Sequence, residues 1–130
     1  MNKEDVIKYL KKLNLNPNDY MVISGTAMVM HGIKEKTNDI DIAVTKECKD
    51  MLLKKYNCKE NGIYNGFISY NIDDKVDFGL GYYSNEKNYI SNIPTQTIGD
   101  IIKFKKALKR DKDLKDLEKI YKFLGEKWEK

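Results

Sequence analysis

The sequence predicts an α/β (α+β) fold with one mixed sheet packed by helices, in the order αβαβαββαα. Three observations carry that reading. Apolar residues recur at helical spacing at both ends of the chain: Val6, Ile7, Leu10 and Leu13, then Leu114, Leu117, Ile120, Tyr121 and Leu124. Residues 39–44 alternate carboxylate and apolar side chains, the period of a strand. Residues 63–82 are rich in aromatic and β-branched types.

Each element has its own signal. Asn2 is a candidate N-cap for the first helix, and Pro17 lies beyond its end. Residues 20–24 read as a short buried strand that Gly25 breaks, and residues 26–31 as a short helix ending at Gly32. After the strand at 39–44, Thr45 caps a helix to about residue 56, with Met51, Leu52 and Tyr56 as its expected inner residues. Residues 63–72 and 75–82 read as two strands joined at Asp73-Asp74, and residues 84–94 as polar loop. Thr97 and Asp100, spaced like a capping box, start a helix through about residue 109. Asp111-Lys112-Asp113 then caps the last helix.

At 130 residues the chain suits one domain, with a core over about 20–95 and a helical part over about 96–130. No apolar run is long enough to cross a bilayer, no secretory h-region follows the lysine-rich start, and no membrane partner is expected. Cys48 and Cys58 form neither a disulfide framework nor a zinc pattern, which suits a reducing cytoplasm. With His31 as the single histidine, any metal must be held mainly by carboxylates, so Mg²⁺ or Mn²⁺ is the expected type. The net charge of +4 is uneven. Residues 101–130 hold 11 Lys/Arg against 6 Asp/Glu, leaving 13 against 14 for residues 1–100. That basic end is either a solvated helix face or a surface for phosphate or nucleic acid.

The stretch from Ile23 to Ile42 carries the chemistry. Asp39 and Asp41 are two apart on an expected strand, so both carboxylates project from one face while Ile40 and Ile42 point to the core. Side by side they repel, and a divalent ion between them removes the conflict. Upstream, the strand runs into Gly25 and a helix start at Thr26, which aims N–H groups and a hydroxyl at one spot, a natural phosphate site. Exposed strand-end carboxylates are the plain alternative for Asp39 and Asp41.

Gly25-Thr26, twelve intervening residues, then Asp39-Ile-Asp-Ile resembles the signature of the nucleotidyltransferase superfamily, the polymerase-β-like fold. The local form Ser24-Gly-Thr-Ala-Met is similar to small prokaryotic members, the minimal nucleotidyltransferases of toxin–antitoxin and antibiotic-modifying type. Further along, Lys75-Val-Asp-Phe-Gly79 matches the strand of the family's third carboxylate, making Asp77 the candidate ahead of Asp73 and Asp74. The run from Ile101 to Arg110, then Lys112-Asp113 and Asp116, is similar to the C-terminal helical motif of the small members. Where many of those carry an Arg before the aspartates, this chain has Glu35 between Lys34 and Lys36.

The resemblance implies Mg²⁺-dependent (or Mn²⁺-dependent) transfer of a nucleoside monophosphate from an NTP such as ATP to a hydroxyl. Asp39, Asp41 and Asp77 would be catalytic and hold the metal; Ser24, Gly25, Thr26, Lys105 and Arg110 would bind the nucleotide. The implied acceptor is a tRNA end, a partner protein or a small molecule. The alternative is a non-catalytic nucleotide-binding or protein-interaction module of the same fold. Lys103, Lys106 and Lys109 fit a water-facing stripe, His31 a packed imidazole, the two cysteines packed thiols, and Tyr82 and Tyr83 either a base-stacking pair or rim packing.

Overall fold

The computed structural model describes residues 1–81, 84 and 86–125. Its helices are α1 (Lys3–Leu13), α2 (Ser24–Met30), α3 (Lys46–Lys55), α4 (Ile98–Leu108) and α5 (Asp111–Gly125). Its strands are β1 (Tyr20–Val22), β2 (Ile40–Val44), β3 (Cys58–Tyr64), β4 (Phe67–Ile72), β5 (Val76–Gly79), β6 (Lys87–Ile90) and β7 (Ile93–Gln96). All seven strands form one mixed sheet in the order β3-β4-β5-β2-β1-β7-β6. The pairs β2–β5 and β1–β7 are parallel, and the others are antiparallel.

Local chemistry explains the helix ends. Asn2 and Asp5 form a reciprocal capping box at α1, and Asn14 closes that helix in the left-handed conformation. The hydroxyls of Thr45 and Thr97 accept from the N–H groups of Cys48 and Asp100. The core gathers Val6 and Leu10 of α1, Met28 of α2, Leu52 of α3, Phe78 of β5, Ile101 of α4 and Ile120 of α5. Two expected inner residues face water instead: Met51 and Leu114 are exposed, and Cys48 takes the inner position on α3. On α5 the buried positions beside Leu117 are filled by Asp113 and Asp116.

The middle of the chain corrects the sequence reading. The stretch read as one strand over 63–72 is a hairpin, β3 turning at Asn65-Gly66 into β4, with both turn residues at positive φ. The stretch 84–94, read as loop, contains β6 and the start of β7, joined at Ser91-Asn92, again with positive φ at both. The Asp73-Asp74 turn stands as read. Residues 82, 83 and 85, with the Tyr82–Tyr83 pair, lie outside the described residues, as do residues 126–130 of the basic end.

The tip of the β3–β4 hairpin is tied to the chain leaving β5. The Asn65 side-chain amide donates to the Gly81 carbonyl, and a Cβ at Gly81 would stand 2.8 Å from the Tyr64 carbonyl oxygen. Gly81→Ala therefore forces the tip away. The expected cost is about 1–3 kcal/mol in chemical denaturation, with altered exchange at residues 63–67.

Candidate active site

Parallel pairing of β2 and β5 places Asp41 directly beside Asp77, with Ile40 opposite Val76 and Ile42 opposite Phe78. The four apolar side chains are buried on one face of the sheet, and the two carboxylates, half-buried, share the other. Neighbouring strands lie about 4.8 Å apart, so the carboxylates adjoin. Asp77 Oδ1 accepts two amide N–H bonds, from Asn71 Nδ2 on β4 and Asn61 Nδ2 on β3, each 2.8 Å. Burial, followed by the charges of Asp77 and Asp39, pushes the Asp41 carboxyl up to about 7, against the pull of Lys112. Asp39 stands exposed just before β2. Asp74 makes a local turn contact instead, its N–H donating to Asn71 Oδ1.

The junction of β1 with α2 braces this floor. The Ile23 N–H donates to the Asp41 carbonyl. Ser24 adopts a left-handed backbone (φ 57°), and its N–H donates to Gln96 Oε1 on β7 at 2.9 Å. Gln96 also accepts, through its carbonyl, a 2.8 Å bond from His31 Nε2, so His31 is the packed imidazole the sequence suggests.

Thr26 departs from its expected role. It is fully buried, and its hydroxyl donates to the Asp39 carbonyl (3.0 Å) and accepts from the Asp41 N–H (2.9 Å). A hydroxyl so engaged is a brace for the aspartate strand, not a phosphate ligand. Thr26→Val should cost about 1–3 kcal/mol, because the half-buried Asp41 N–H loses its partner and the Asp39 carbonyl keeps only the Thr37 hydroxyl, while Thr26→Ser should restore most of that stability in denaturant titrations.

The basic side is built at the α4–α5 junction. Lys105, 4% exposed, sends Nζ to Asp116 Oδ2 (2.9 Å) and Asp113 Oδ1 (3.5 Å). Arg110 Nε meets Asp113 Oδ2 at 2.7 Å, and Lys34 Nζ meets Asp116 Oδ1 at 2.8 Å. Burial works to raise both carboxyls, but the contacts with Arg110, Lys105 and Lys34 outweigh it and hold Asp113 and Asp116 below the usual range. Three cations thus face two anions. Lys105 lies on α4 and Arg110 in the connection to α5, on either side of the left-handed Lys109. Sequence reading missed Lys34, whose ammonium would stand 3.9 Å from a Cβ at Gly25 and so lies over the α2 start. It also missed Lys112, the cation that acts on Asp41. The Lys34–Glu35–Lys36 triplet is the signal that points to a basic residue in that loop.

One cleft of about 440 Å³ brings most of the expected residues together: Ser24, Asp39, Asp41, Asp77, Lys105 and Arg110 line it, with Lys112 and Gln96. Gly25 and Thr26 do not. As the side chains stand, no three His, Cys, Asp or Glu residues among those described are grouped closely enough to hold a metal ion. The donors on offer are the Asp41–Asp77 pair, with Asp39 beside them, all oxygen. Two adjoining half-buried carboxylates, with a third carboxylate next to them, fit a hard dication.

No protein-family model and no curated protein matches the sequence. Among solved structures, the fold resembles that of a candidate nucleotidyltransferase from Thermotoga maritima, TM1012. The TM-score is 0.59 at 15% identity, covering 97% of this chain and 96% of that one. JHP933 from Helicobacter pylori matches at a TM-score of 0.43 and 16% identity, over 81% of this chain and 57% of that one. The likeness to TM1012 is one of fold, over nearly the whole of both chains. No helix among the described residues is long and apolar enough to cross a membrane.

Proposed function

We propose that this protein is a metal-dependent nucleotidyltransferase. An acceptor hydroxyl attacks the α-phosphorus of an NTP, the new P–O bond replaces the bond to the β-phosphate bridging oxygen, and pyrophosphate leaves. The observation that carries the reading is the in-register Asp41–Asp77 pair on the floor of a cleft whose other side is basic. Asp41 and Asp77, with Asp39, would hold Mg²⁺ or Mn²⁺; a bound dication supplies charge neutralisation and a more acidic hydroxyl.

The chain's own residues divide the remaining work. Asn61 and Asn71 fix the Asp77 carboxylate, Thr26 fixes the strand that bears Asp39 and Asp41, and Gln96 holds the Ser24 backbone at the cleft. Ser24, with Arg110, Lys112 and Lys105, all of which line the cleft, would receive the triphosphate. Within the paired cluster, Lys105 shares its charge with Asp113 and Asp116, so Arg110 and Lys112, both exposed, are the more accessible cations. A tRNA end, a protein hydroxyl and a small molecule remain the acceptor classes, and the setting of a toxin–antitoxin pair or a cytoplasmic enzyme is part of the same proposal.

A non-catalytic nucleotide-binding module is the second reading, favoured by the exposed Asp39 and the absence of a ready three-ligand group among the described residues. Incubation with each NTP labelled at the α- or γ-phosphate, Mg²⁺ and either total RNA, lysate protein or small-molecule extract separates the two. Transfer of α-label, with γ-label leaving as pyrophosphate, supports the enzyme; NTP binding with no label moved supports the module.

A further inference from the structure

The cleft is chemically two-sided. Its cations, Lys105, Arg110 and Lys112, all come from the α4–α5 side. On the side built by β3, β4 and the exit of β5, the only charged lining residue among those described is Asp77 itself. That side instead presents Tyr64 and Phe67, a directly opposed cross-strand pair at the hairpin tip. They are 51% and 46% exposed, although each is a large apolar side chain beside a cavity.

The platform is held in place. β3 bulges between Glu60 and Ile63, and Gly62 within the bulge has φ +88°. A Cβ there would meet Tyr64 Cε2 at 3.3 Å and Cζ and Oη at 3.5 Å, so the Tyr64 ring is seated against the bare Gly62 backbone. The contacts of Asn65 and Gly81 anchor the same tip from the other side. The hairpin also supplies Asn61 and Asn71 to Asp77, which ties the position of the aromatic pair to that carboxylate.

We propose that Tyr64 and Phe67 form a stacking platform for the base of a nucleoside-bearing acceptor, on the Asp77 side of the cleft and opposite the triphosphate. The word acceptor rests on the transfer reading above; the ring-binding platform does not. An anionic triphosphate belongs on the basic side, whereas a flat uncharged base gains from an aromatic wall without cations. The platform makes the acceptor a nucleoside end in preference to a polycationic small molecule or an aliphatic hydroxyl.

Binding measured by NMR chemical-shift titration needs no turnover. Adenosine and cytidine serve as probes, ribose as the control without a base, and a non-hydrolysable ATP analogue as the probe of the other side. The wild type should bind both nucleosides at least about tenfold more tightly than ribose, with shifts at residues 62–67. Tyr64→Ala and Phe67→Ala should each remove most of that preference, Tyr64→Phe should keep it, and affinity for the ATP analogue should stay within about twofold. Equal binding of nucleoside and ribose, or Ala variants that bind like the wild type, would overturn the platform. A parallel loss of ATP-analogue affinity would overturn its assignment to the acceptor, placing the NTP base there. If nucleoside preference follows the pattern above while no α-label ever moves, the platform stands and the transfer reading falls.

Discussion

Asp41→Asn and Asp77→Asn should each abolish nucleotidyl transfer, by about a hundredfold or more, while the fold survives. The two side chains adjoin across parallel strands, and a neutral amide keeps their shape but supplies no charge to balance a dication. A loss of several kcal/mol of transition-state stabilisation corresponds to that factor. The same substitution at Asp41 should raise stability without metal. The Asp41 carboxyl, pushed up to about 7, lies above its unfolded value near ~3.9, so the folded chain holds the extra proton between those limits. The contribution of Asp41 to stability therefore falls as pH rises from about 4 to about 7, and its full penalty persists above that. At pH 8 in chelator, Asp41→Asn should gain about 2–4 kcal/mol and several degrees in Tm; at pH 4 the gain should vanish.

The largest stability losses should come from the buried charges of α4 and α5. Asp116→Ala leaves Lys105 and Lys34 without their shared carboxylate, and Asp113→Ala leaves Lys105 and Arg110 without theirs. Removing one side of a buried ion cluster costs about 3–5 kcal/mol, because the remaining charge stays desolvated. Lys105→Ala should cost a similar amount. Arg110→Ala, at an exposed position, should cost under about 1 kcal/mol, with its main effect on NTP affinity. Both aspartates are held below the ordinary range, so their stabilisation is complete above the unfolded value near ~3.9 and is lost as pH falls through their folded values. Thermal melts of the four variants between pH 3 and 8 check the ranking. A Lys105→Ala variant as stable as Arg110→Ala would contradict the buried network.

What the sequence made legible is governed by local signals. The N-cap at Asn2, the cap at Thr45 and the strand read over residues 39–44 each need only neighbours a few residues apart; the structure has both caps and runs that strand from Ile40 to Val44. The pairing of Asp41 with Asp77 follows from alternation once β2 and β5 adjoin. The strands β6 and β7 are short and polar, and Pro94 argues against a strand; they exist because β7 pairs with β1 through Val22 and Thr95, a partnership no local pattern encodes. The hairpin is obscured because aromatic and β-branched residues continue on both sides of Asn65-Gly66. Asn61, Asn71 and Gln96 are polar residues whose roles depend on which strands adjoin in the sheet. Thr26 carries the hydroxyl that a phosphate site asks for, and only the approach of Asp39 and Asp41 shows where that hydroxyl is spent.

Nucleotidyl transfer by this protein depends on the carboxylate floor taking a divalent ion. Mn²⁺ titration followed by electron paramagnetic resonance, with and without a non-hydrolysable NTP analogue, tests that directly. Wild-type protein should bind Mn²⁺ stoichiometrically in the presence of the analogue, and Asp41→Asn and Asp77→Asn should each weaken that binding by at least about tenfold. Mn²⁺ binding that is absent in the wild type with the analogue present, or unchanged in both variants, would contradict the account.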